Sequence, residues 1–100
     1  MNLDEFKSTI TRGEQPAPLV PPLRALWHEA RGEWQRAHEI VQDETDTPSA
    51  WVHAYLHRKE GDLSNAAYWY RRAKRPMPSA TLDEEWEILA ATFLLGEDDD

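Results

Sequence analysis

One hundred residues is one domain at most, and a domain this short buries a smaller share of its chain than a large one. A net charge of −8 argues against DNA or RNA as the main partner, since phosphate binding rests on positive charge; Arg71-Arg72-Ala73-Lys74-Arg75 is a local basic patch on an acidic chain. With no cysteine, disulfides, thiolate metal sites and cysteine nucleophiles are excluded together, which fits a reducing cytoplasm.

Asn2 with Glu5 forms a capping-box pattern, and Leu3, Phe6 and Ile10 follow at helical spacing. A first helix is therefore expected over residues 1–13, ending at Gly13. Nothing in this start joins a basic region to an apolar stretch, so no signal peptide is expected. Pro16, Pro18, Pro21 and Pro22 make residues 14–22 an extended linker, with Pro22 suited to a first helical position. Two helices should follow, about Leu23–Arg31 and Glu33–Gln42, split at Gly32. A polar turn leads to Thr47, an N-cap candidate, and to a helix over Pro48–Glu60 that stops at Gly61. Asp62 can cap the next helix, about Leu63–Lys74, which Pro76 and Pro78 end. Thr81 and Glu84 form a second capping box, opening a helix over residues 81–95 that Gly96 closes before an acidic tail, residues 96–100. No segment shows strand alternation, and no apolar run nears the roughly 18 residues of a membrane span.

Shifting the chain by 29 residues places Trp27–Ala37 over Leu56–Ala66, matching a histidine, a glycine, an acid, a large apolar residue and an alanine, with Ala25 over Ala54 upstream. Repeats of this size signify stacked helical pairs. The glycine ends one helix, the acid caps the next, and the alanine lets the two approach. The pattern resembles the tetratricopeptide repeat. One copy offers Ala54, Gly61, Asp62, Leu63, Ala66, Tyr70, Ala73 and Pro76. The other offers Ala25, Gly32, Glu33, Trp34, Ala37, Val41 and Pro48. Glu44 stands where the last alanine belongs, Leu63 replaces an aromatic residue, and the connection between copies is shorter than the family's period. The resemblance implies an all-α fold: two antiparallel helical hairpins over residues 22–78, flanked by an N-terminal and a C-terminal helix. The block 53–73 is also similar to a group of small helical proteins carrying His-Arg-x-Glu-Gly-Asp and Asn-Ala-x-Tyr-Trp-Tyr-Arg-Arg, a resemblance that gives a family without a function.

His53 and His57 lie four apart on one helical face, with Glu60 on the same stripe. Two such histidines could hold Zn²⁺ with His28 or Glu60 as a third ligand. A zinc-protease motif would need glutamate where Ala54 stands, so packing is the favoured role, and no metal or cofactor is assigned. Arg58, Glu60, Asp62, Asn65, Tyr68, Arg71 and Arg72 form a polar and aromatic group around one turn, readable as a network fixing the hairpin or as a pocket for an acidic group. Tyr68-Trp69-Tyr70 cannot make a flat base-stacking platform, because consecutive helical positions diverge. No serine elbow or glycine-rich phosphate loop is present, so no catalytic residue is assigned.

The leading expectation is a protein-interaction or scaffold module. The resemblance to tetratricopeptide repeats implies a groove lined by Leu26, Glu29, Trp51, Tyr55 and Arg58, where a partner peptide or a second copy would dock. The alternative is a small-ligand or anion-binding protein using His53, His57, Arg58, Glu60, Tyr68 and Arg72. A groove requires exposed Trp51 and Tyr55; a pocket requires His57, Glu60 and Arg72 to converge.

Overall fold

The computed structural model describes residues 1–98, with side chains through residue 96. Six helices, and no strand among the described residues, make up the fold. They are α1 (Leu3–Arg12), α2 (Pro21–Ala30), α3 (Trp34–Val41), α4 (Thr47–Glu60), α5 (Leu63–Arg72) and α6 (Leu82–Asp98).

Local chemistry explains most boundaries. The Asn2 side chain accepts the Glu5 N–H at 2.9 Å, and the Glu5 carboxylate returns to the Asn2 N–H at 3.4 Å, completing the expected box. Thr81 and Glu84 do the same for α6, and these hydrogen bonds hold the Glu84 carboxyl below its usual range. Gly32 and Gly61 sit at φ +80° and +90°, the left-handed geometry that stops α2 and α4.

Four boundaries differ from expectation. α2 starts at Pro21, because both prolines fit a first turn whose N–H groups have no intrahelical partner. The cap of α4 is Asp46 rather than Thr47, its carboxylate accepting both the N–H and the hydroxyl of Ser49 at 3.0 Å. A carboxylate is the better partner for the positive end of the helix dipole. α5 stops at Arg72, and Lys74 takes the left-handed turn at φ +60°. α6 continues through Gly96, which adopts no left-handed turn, and so absorbs the start of the expected tail; Asp99 and Asp100 lie outside the described residues.

α2 packs against α3 and α4 against α5, while α6 lies against α1, α2 and α4. α4 touches α2, α3, α5 and α6, and every residue from Ser49 to His57 is buried. That sandwiching explains why its polar and apolar faces are both covered. Ala25, Ala37, Ala54 and Ala66 are fully buried at the close approaches, and Leu23, Leu26, Val52, Leu56 and Leu89 fill the core. Each such leucine contributes about 1.5–3 kcal/mol by leaving water. α1 is held by Trp27, whose indole N–H donates to Thr9 Oγ1 at 3.1 Å, and by Arg31, which donates to the Ile10 carbonyl at 2.7 Å.

Candidate functional sites: a covered groove, an open cleft and a histidine cluster

α6 lies against the two helices that carry the five expected groove residues, α2 and α4. Trp86 of α6 donates its indole N–H to the Leu26 carbonyl at 3.2 Å. Glu85, only 2 % exposed, receives Tyr70 Oη at 2.6 Å, Arg58 Nη1 at 2.8 Å and Trp51 Nε1 at 3.4 Å. Arg58 also donates to the Ala80 carbonyl at the entry to α6. On the neighbouring stretch Glu29 is paired with Lys59 and receives the Tyr55 hydroxyl at 3.4 Å. Trp51 is 6 % exposed and Tyr55 1 %, so neither offers the open face that an empty groove requires. Burial, followed by Glu29 for Tyr55 and by Glu85 for Tyr70, raises both phenol pKa values, so both remain donors at neutral pH.

Beyond the C-terminal half of α6 the surface opens into a cleft of about 760 Å³. Val20, Pro21, Trp51 and Phe93 supply apolar wall, and Glu44 and Asp46 bring negative charge to it and Arg75 positive charge. Phe93 meets Trp51 edge-on at 5.7 Å between ring centroids. The Arg75 guanidinium lies 3.8 Å from the centroid of the Trp51 ring and makes no ion pair with a described residue. Arg75 belongs to the basic cluster seen in the sequence, but its place over Trp51 depends on the turn after α5, which local pattern does not specify.

The expected ligand pocket divides. His57 Nδ1 and Glu60 Oε1 are 2.6 Å apart. Arg58 turns away to α6, and Arg72 lies over the Tyr68 and Trp69 rings at 5.9 and 5.4 Å. What joins His53 and His57 instead is His38, from α3. His53 Nε2 and His38 Nε2 are 3.1 Å apart, and one ring nitrogen from each of the three histidines lies within 4.8 Å of the other two. Trp69 stacks on His53 at 3.9 Å and Trp34 on His38 at 5.0 Å, bracketing the cluster. The Trp34 indole N–H donates to the Leu56 carbonyl at 2.8 Å, which pins it to α4. Burial first, then the neighbouring histidines, pushes the His53 pKa down to about 3 and lowers that of His38, so these rings are neutral at pH 7.

Sequence reasoning missed His38 because it falls just outside the segment, Trp27–Ala37, that the 29-residue shift matches. Its one signal was its place one turn after Trp34, on the face that meets α4. His28, the other histidine considered as a third ligand, lies elsewhere, accepting from Gln15 at 3.1 Å and pairing with Glu33 at 2.8 Å.

No family model, curated protein or solved structure matches this chain. Its function is therefore read from its own side chains.

Proposed function

We propose that the chain is a protein-interaction module of tetratricopeptide-like build. Its own α6 occupies the central part of the concave surface, and a partner docks in the cleft that remains. The observation that carries this reading is the Arg75 guanidinium, unpaired among the described residues and stacked on Trp51 inside a largely apolar cleft of about 760 Å³. That volume takes a few side chains rather than a whole helix. The partner is a short peptide segment that sets an apolar side chain against Val20 and Phe93 and a carboxylate on Arg75. Arginine suits this role because its planar fork binds a carboxylate through two hydrogen bonds while its face rests on the indole. Glu44 and Asp46, also at the cleft, disfavour a second acidic residue in the partner.

The cleft is a better target for mutation than the five groove positions. Trp51 and Arg58 hold α6, so replacing either disturbs the fold as well as a surface. The test is selection of displayed peptides on the folded protein, repeated on Arg75→Glu and Val20→Asp variants. The reading expects an enriched motif pairing an apolar residue with an acid, with binding lost in both variants. Failure to enrich any motif, or peptides that bind the two variants as well as the parent, would contradict it.

A further inference from the structure

We propose that His38, His53 and His57 form a binding site for a divalent transition-metal ion of the zinc class. The inference is independent of the peptide-docking reading and uses other side chains.

Geometry comes first. With Zn–N bonds of about 2.0–2.1 Å, tetrahedral ligand nitrogens sit roughly 3.3–3.4 Å apart. His38 Nε2 and His53 Nε2 are at 3.1 Å, and one ring nitrogen from each of the three histidines lies within 4.8 Å of the other two. Two ligands come from successive turns of α4 and one from α3, so the ion would tie the two helical pairs together.

Orientation comes second. The Glu60 carboxylate can only accept, so the His57 proton sits on Nδ1 and the Nε2 lone pair is free. A metal-bound histidine almost always has such a partner on its other nitrogen. Trp34 and Trp69 hold the other two rings in place by stacking.

His53 lacks such a partner: it is 4 % exposed, its Nδ1 has no hydrogen-bond partner, and its ring is placed by stacking on Trp69 and by His38. Of the neighbouring cations, Arg58 and Lys59 both turn to carboxylates elsewhere.

The donor set decides the class of ion. Three imidazoles suit Zn²⁺, Co²⁺, Ni²⁺ or Cu²⁺, whereas Mg²⁺ and Ca²⁺ require oxygen ligands. Three protein ligands leave one position for water or an outside ligand. Glu60 and Asp62 also come within reach of His57. Both are exposed, however, and Asp62 caps α5 by accepting the Asn65 N–H at 3.3 Å.

The test is a Co²⁺ and Zn²⁺ titration of the chelator-stripped full chain, with fold checked by circular dichroism. One Co²⁺ per chain should give the intense visible bands of a four-coordinate ion, and Zn²⁺ should bleach them. His38→Ala, at a half-buried position, should remove the bands. Glu60→Gln should keep the site and weaken it about 10–100-fold. His28→Ala should bind as the parent does. A readout that needs no variant is histidine NMR of the parent protein, in which Zn²⁺ should move the His38, His53 and His57 signals and leave His28 in place. No bands in excess Co²⁺, binding that survives His38→Ala, or a Zn²⁺ response centred on His28 would overturn the proposal.

Discussion

Glu85 shows how much a single side chain holds. It comes from α6, is almost wholly buried, and receives hydrogen bonds from Trp51 and Arg58 on α4 and from Tyr70 on α5. Removing it leaves the Arg58 charge without its carboxylate in a largely covered place, a change that costs about 3–5 kcal/mol. Glu85→Ala should therefore lower the thermal midpoint by more than about 10 °C. Tyr70→Phe, which removes one hydrogen bond and leaves the packing, should cost about 1 kcal/mol. Equal effects from the two substitutions would show that the charge pair is not what matters. Glu85 was legible in the sequence only as one of the acids at the start of a helix. Its partners lie 15 to 34 residues away, and no local pattern carries that information.

His53 gives a second prediction at this scale, for the metal-free protein. Its pKa is about 3 when folded against an ordinary 6.5, so the unfolded chain binds the extra proton between those values. Stability from this residue is complete above pH 6.5 and declines as pH falls toward 3. The melting temperature should drop on acidification from pH 6.5 to 5, and His53→Phe should flatten that slope. The His53 ring signal should not titrate in this window. A His53 midpoint near 6.5 would contradict the burial argument.

Among the elements, the turns were the most legible. Glycines followed by an acid located the ends of α2 and α4 because only glycine takes the left-handed turn without strain, and both capping boxes formed as spaced. Gly96 resembles a stop signal, but α6 runs through it with no left-handed turn. The two glycines should thus respond oppositely to alanine. At Gly61, φ +90° makes Gly61→Ala destabilising by about 1 kcal/mol or more, although nothing lies within 4 Å of the added carbon. Within α6, Gly96→Ala meets open space at a helical position and should stabilise by up to about 1 kcal/mol. Urea unfolding of the two variants measures both; the same sign at both sites would refute this account of the turns.

For the whole molecule, the sequence supplied the all-helical class but not the position of α6. The groove residues were identified from the first helix of each pair, and no spacing reveals that a later helix will lie over them. Trp86 was the hint: with Leu89 and Ala90 it gives α6 an apolar stripe that needs a surface to cover. The result is a scaffold on which five tryptophans mark separate places. Trp34 and Trp69 bracket the histidines, Trp27 and Trp86 contact α1, and Trp51 forms the floor of the open cleft. Their indole N–H signals can be followed one by one by NMR. The most direct test of the interaction reading is therefore an indole titration with a peptide selected on the folded protein. The Trp51 signal should move while those of Trp34 and Trp69 stay fixed. A response at Trp34 and Trp69 with Trp51 unmoved would place binding at the histidine face and contradict the cleft as the docking surface.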